Sequence, residues 1–185
     1  SSARKTIAGL LGIDSMDLFF TSGATESNNM AVLGLLDYAL ETGRNHFITT
    51  AIEHKSVIEA MKHIEHKDCI VDFVAPDESG RVSPEAILSQ VTEKTLLVSM
   101  MHVNSETGII QPIEEVGEAL EKTSVYFHVD ASQSFGKLND IIQRTKYDML
   151  SMAAHKLGGP QGIGGLALRR NRSYQRPPVV PLMYG

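Results

Sequence analysis

The sequence predicts an α/β domain, a three-layer α/β/α sandwich built on a mostly parallel sheet. Three observations predict it. Short apolar runs rich in Val, Leu, Phe and Met alternate with segments of helical character along the whole chain. Glycines and capping residues punctuate the segments at the spacing of strand–helix units. Polar residues able to do chemistry fall just after the apolar runs, where open α/β sheets bind their ligands.

The elements follow in order. Residues 2–12 read as a helix closed by Gly12, and residues 17–21 as a short apolar strand. Residues 24–42 read as one helix closed by Gly43, because glycine suits the left-handed position past a helix end. Residues 45–50 form a strand, residues 56–66 a helix and residues 69–74 a strand. Ser83-Pro84-Glu85 presents an N-cap, a proline and an acidic first turn, so a helix runs to about Gln90. Residues 95–101 are a strand, residues 112–122 a helix and residues 125–129 a strand. Two more strands are expected, at residues 147–152 and 165–168.

Composition bounds the function classes. A chain of 185 residues is one ordinary domain with room for a sizeable core. A net charge of −5 argues against nucleic acid as the main partner. No apolar run approaches the roughly 20 residues that cross a bilayer. The first residues lack a signal-peptide layout, and Cys69 is the single cysteine. The expectation is a cytoplasmic protein without internal disulfides and without a membrane partner.

Five candidate groups follow predicted strand ends. These are Thr21 to Thr25, Glu53-His54-Lys55, Asn104, Asp130 and His155-Lys156. Ser22-Gly23-Ala24-Thr25 reads either as a plain helix N-cap or as a phosphate cradle of free N–H groups. His54 is a solvated loop histidine or an imidazole stacked on a flat ring. Asn104 and Gln133 either satisfy loop backbone or serve a phenolate oxygen. Lys156 by composition is a surface lysine, but a glycine-rich turn follows it and Met149-Leu150 precede it. Asp130 directly follows Phe127-His128-Val129, so it is desolvated and wants a cationic partner. A lysine able to form a Schiff base and a carboxylate able to pair with a pyridine nitrogen are what pyridoxal 5′-phosphate (PLP) asks of a protein.

Other chemistries find no support. His63 and His66 share a helix face, but no further ligand pattern completes a metal site. The stretch from Gly158 to Gly165 has neither a Walker lysine nor a dinucleotide fingerprint, and no Gly-x-Ser-x-Gly elbow occurs. Arg169, Arg170, Arg172 and Arg176 read as a solvated basic face. Cys69 lies inside an apparent strand and reads as a structural thiol.

Five segments in order carry a family resemblance: Phe20 to Asn28, Glu53-His54-Lys55, Met101 to Gly108, His128 to Ser134 and the His155-Lys156 turn. Together they resemble cysteine desulfurases, PLP enzymes of the class V aminotransferase family with the fold-type I architecture. Asn104 to Gly108 with Gln111-Pro112 is similar to the iron–sulfur-cluster-assembly branch. The resemblance implies that Lys156 holds PLP and acts as base and acid at the substrate's α-carbon. It implies that Asp130 pairs with the pyridinium nitrogen and that His54 stacks on the ring. Gln133 and Asn104 would serve the phenolate oxygen; Ala24 N–H, Thr25 and His155 would hold the phosphate. The implied substrate is L-cysteine, and the products are alanine and an enzyme persulfide destined for a sulfur-acceptor protein. Relatives that act on selenocysteine or cysteine sulfinate share nearly the same site residues. A homodimer is implied.

Two departures stand out against that family. Ala153 occupies a position where many relatives place a phosphate-binding serine, so weaker PLP retention is expected. The family's mobile loop with the catalytic cysteine and its small C-terminal domain have no counterpart in residues 1–185. The expectation is therefore a PLP-binding large domain, inactive alone.

Overall fold

The computed structural model describes residues 2–184. Its strands are β1 (Leu18–Thr21), β2 (His46–Thr50), β3 (Ile70–Val74), β4 (Thr95–Met101), β5 (Tyr126–Asp130), β6 (Met149–Ala153) and β7 (Gly164–Leu168). They make one sheet in the order β1-β7-β6-β5-β4-β2-β3. The pairs β2–β3, β2–β4, β4–β5 and β5–β6 are parallel. β7 runs antiparallel to both β6 and β1. Two reversals restore direction, so β1 points the same way as β6. The carboxyl ends of every strand but β7 therefore share one edge of the sheet.

The helices are α1 (Ser2–Leu11), α2 (Ala24–Leu33), α3 (Leu36–Thr42), α4 (Lys55–Glu65), α5 (Pro84–Leu88), α6 (Ile113–Leu120) and α7 (Asn139–Arg144). They cover both faces, because strand side chains alternate between two apolar clusters. Ile48, Val98, Phe127, Val129 and Leu150 pack with residues of α1, α5, α6 and α7. Phe47, Leu97, Met149 and Leu166 pack with residues of α2, α3 and α4. This is the three-layer sandwich that the alternation predicts. No helix among the described residues is long and apolar enough to cross a membrane.

A polar ladder crosses the buried sheet. His128 is fully buried, with Nδ1 2.8 Å from Ser99 Oγ and Nε2 2.8 Å from Ser151 Oγ. One hydroxyl from each neighbouring strand meets each ring nitrogen, so no polar atom of the ring is stranded.

Several expectations need correction. The helix predicted over 24–42 is two helices, broken at Gly34. There the segment near the end of the chain crosses so closely that a Cβ on Gly34 would lie 2.6 Å from Val179 Cγ1 and 2.7 Å from Val180 O. Val180 N–H donates to Gly34 O at 2.9 Å. The short helix α7 was not foreseen, since it buries only Ile142 and is too short to show a period. The predicted solvated basic face is largely structural. Arg170 Nε and Arg176 Nε donate to buried Asp17 at 3.0 and 2.6 Å. Arg169 stacks on the Tyr147 ring, 3.9 Å from its centroid, and among the described residues Arg172 is the one of the four with no such contact.

Two outcomes check this account. Asp17→Ala removes the anion that joins Arg170 and Arg176, both partly exposed, and should cost roughly 1–3 kcal/mol in urea unfolding. A cost no larger than that of Arg172→Ala would overturn the assignment. Burial pushes His128 down to about 4. The unfolded chain then takes up a proton below about pH 6.5 that the folded chain excludes until about 4. Stability should fall as pH drops through that window, and His128→Asn should flatten the fall.

Candidate functional site

The shared strand edge opens into a cavity of ≈ 630 Å³. Its wall includes Ala24, Thr25, His54, Asp130, Gln133, His155 and Lys156, which follow four different strands. The strand polarity explains the convergence. Only because β1 is turned twice does the loop after it reach the same edge as the loops after β2, β5 and β6.

The loop after β1 builds an anion-ready helix start. Ser22 donates its N–H and its hydroxyl to Glu26 Oε2, both at 2.6 Å, and these bonds hold the Glu26 carboxyl below its ordinary range. The first backbone bond of α2 runs from Ser27 N–H to Gly23 O at 3.1 Å. The N–H groups of Ala24, Thr25 and Glu26 thus have no acceptor within the helix. Free donors on the positive end of a helix suit a phosphate. Gly164, the first residue of β7, packs under this turn. A Cβ there would lie 2.5 Å from the Gly23 carbonyl carbon.

Asp130 ends β5 and is 6% exposed. Its Oδ1 accepts from the N–H and the hydroxyl of Ser132, the former at 2.9 Å. Its Oδ2 accepts from Asn28 Nδ2 at 2.8 Å. Three donors offset the cost of burying the charge, and a carboxylate keeps a further acceptor position for a cation in the cleft. His54 is the N-cap of α4, and its Nδ1 accepts from Ser56 N–H at 3.1 Å.

Lys156 and His155 stand at the rim on a one-turn 3-10 helix, Ala154–Leu157. Both are exposed, so Lys156 has the surface position that its composition suggests while still lining the cavity. Gly158 reverses the chain after them in the left-handed region, φ 76°. Ala153 ends β6, lines the cavity and offers only a methyl group.

Asn104 is not among the cavity's lining residues. Its Nδ2 donates to Ile52 O at 3.1 Å, and its Oδ1 accepts from Glu106 N–H and Thr107 N–H at 2.9 Å each. Its amide shapes the loop after β4. Glu53 is also withdrawn from the cavity. Its Oε1 accepts from the Thr50 hydroxyl at 2.6 Å and from Met101 N–H at 2.9 Å. Burial pushes Glu53 up to about 8, so it is protonated at neutral pH. Cys69 lies just before β3, at the opposite end of the sheet, and burial pushes its thiol up.

The sequence reading gave no role to Asn28, Ser56 or Ser132, the residues that satisfy Asp130 and His54. One signal was available for Asn28. It falls four residues after Ala24, hence on the same face of α2 as the open N–H groups at its start.

Comparison with known proteins places this geometry. The mitosomal cysteine desulfurase of Trachipleistophora hominis is 40% identical over 185 residues, all of this chain and 41% of that protein. The crystal structure of DndA from Streptomyces lividans superposes with a TM-score of 0.97 at 46% identity, covering 100% of this chain and 52% of that one. A structure described as SspA in complex with cysteine gives a TM-score of 0.90 at 39% identity, covering 99% and 52%. The chain thus spans about half the length of the proteins it matches. The class-V aminotransferase profile matches residues 1–182. By sequence and by fold, this chain belongs to the class-V aminotransferase family.

Proposed function

We propose that the cleft binds PLP and that this chain is the cofactor-binding part of a cysteine desulfurase. The observation that carries the reading is one cavity that joins an amine, a buried carboxylate, an imidazole and an open helix N-terminus. That donor set fits the cofactor group by group. Family members are PLP enzymes, and PLP when bound supplies an electron sink for charge developing at a substrate's α-carbon.

The residues divide the work. Ala24 N–H, Thr25 and His155 take the phosphate. Asp130 holds a proton on the ring nitrogen through its remaining acceptor position. His54 lies against the ring, and Gln133 serves the phenolate oxygen. Asn104 contributes by fixing the loop after β4 rather than by contact. Lys156 Nζ would hold the cofactor's aldehyde carbon and, once the substrate's amine had taken its place there, would be the free amine able to carry a proton from and to the substrate's α-carbon. Glu53, kept neutral, braces the loop that carries His54 without adding a second charge beside Asp130.

L-cysteine as substrate is supported by the names of the relatives and by the cysteine complex of SspA. Cys69 lies far from the cleft with a disfavoured thiolate, so a different thiol accepts the sulfur. Delivery to a sulfur-acceptor protein for iron–sulfur-cluster or thio-cofactor assembly, a homodimeric state and a cytoplasmic location complete the proposal. The activity is that of the whole protein.

Two measurements test the reading. Adding PLP should give an absorption band of a lysine-linked cofactor, absent in Lys156→Ala. Borohydride reduction should then leave a phosphopyridoxyl mass on Lys156, and no band with no adduct would sink the proposal. Ala153→Ser should restore a hydroxyl at the cavity wall and tighten PLP roughly tenfold, the equivalent of one charge-assisted hydrogen bond of about 1.5 kcal/mol. Unchanged affinity in a PLP titration would remove Ala153 as a determinant of retention.

A further inference from the structure

Three buried polar residues of the cleft, Asp130, Asn28 and Ser56, are joined in a single run that ends on the exposed His54. Asn28 Nδ2 donates to Asp130 Oδ2 at 2.8 Å and to Ser56 Oγ at 2.9 Å. Ser56 Oγ lies 2.8 Å from His54 Nδ1, and Ser56 N–H donates to the same nitrogen at 3.1 Å. Asn28 is fully buried and Ser56 is 7% exposed, so water does not compete freely for these bonds.

The chemistry of the partners fixes every proton. A carboxylate only accepts, so the Asn28 atom facing Asp130 is the amide nitrogen. Its second hydrogen goes to Ser56 Oγ, which must accept it. The Ser56 hydroxyl proton is then free to point at His54 Nδ1. The backbone N–H of Ser56 can only donate, and it too points at Nδ1. A nitrogen that receives two donors carries no proton of its own. The neutral imidazole therefore keeps its proton on Nε2, the nitrogen left for a ligand.

We propose that Asn28 and Ser56 are positioning residues for His54. The run Asp130–Asn28–Ser56–His54 holds the imidazole as its Nε2–H tautomer and ties it to the carboxylate. His54 then offers the cleft a hydrogen-bond donor, matched to an anionic or lone-pair-bearing group of cofactor or substrate. The proposal rests on the PLP reading for what that donor meets, but the tautomer is a property of the chain alone. The role belongs to a pair of side chains on different helices, α2 and α4, so neither helix can shift without changing the ring.

The test is nitrogen-15 NMR on histidine-labelled chain without PLP, at a pH where the imidazoles are neutral. His54 signals are assigned by their loss in His54→Gln. In the unmodified chain, Nδ1 should resonate as an unprotonated acceptor and Nε2 as a protonated donor. Ser56→Ala and Asn28→Ala each leave the backbone N–H of Ser56, at 3.1 Å, as the one donor obliged to face Nδ1, so both signals should move part of the way toward a mixture of tautomers. Ser56→Thr, which keeps the hydroxyl, should restore the original pattern. A proton on Nδ1 in the unmodified chain would overturn the proposal, and would do so even if a variant failed to fold. Unmoved signals in two folded variants, judged by far-ultraviolet circular dichroism, would overturn it equally. A chain that shows the Nε2–H tautomer but takes up no PLP would defeat the cofactor reading and leave this one standing.

Discussion

A carboxylate buried at the end of a central strand is the constraint around which this domain is arranged. Asp130 has lost most of its water, and a bare charge in that place would cost several kcal/mol, on the order that ordinary domains cannot spare. Each of its oxygens is met by a donor from a separate piece of chain. Ser132 comes from the turn after β5, and Asn28 from α2 on the far side of the sheet order. Asn28 can reach only because α2 lies against α4, which its amide also contacts through Ser56. The same column of β5 carries His128, bracketed by hydroxyls from β4 and β6. Polar groups thus occupy β5 both inside the sheet and at the cleft. Most of their polar atoms are met within each group, Asn28 Oδ1 being the buried side-chain atom of these groups left without a partner among the described residues.

The second organising fact is direction. A sheet with one strand reversed between two others would ordinarily scatter its loops to both edges. Here the reversal occurs twice in succession, at β1–β7 and β7–β6. The result gives the helix start of α2 the same address as Asp130 and Lys156. An anion cradle, a carboxylate and an amine can then act on one ligand without any long loop to bring them together. Such precision is easier to hold from strand ends than from flexible connections.

Much of this was legible in the chain. The alternation of apolar runs with capped, amphipathic stretches is a local property, and it identified each strand at its observed place to within two residues. The convergence of Ala24, Thr25, His54, Asp130, Gln133, His155 and Lys156 was legible because polar residues after strands have a shared destination in this architecture. What escaped were relations between distant residues. Nothing near Gly34 announces that Val179 and Val180 will press on it. Arg170 and Arg176 look like surface charges until Asp17 is folded beneath them. Asn104 carries the same amide whether it faces a ligand or its own loop, and only the bonds to Ile52, Glu106 and Thr107 distinguish the two. The exposure of Lys156 is likewise set by what surrounds the turn, which its own neighbours in sequence do not specify.

The place of β1 has a consequence for how the chain comes into being. β1 lies at one margin of the sheet, and among the described residues its ladder partner is β7 alone. Among the described residues it comes first of the strands in the chain, and its partner comes last. The parallel core from β2 to β6 can assemble progressively as the chain lengthens, each strand finding a neighbour already made or soon to follow. β1 cannot, because the loop it must close spans almost the entire domain. Asp17 waits in the same way for Arg170 and Arg176. The strand therefore stays unpaired until Gly164–Leu168 have been made, and that interval is when it is most exposed to wrong partners.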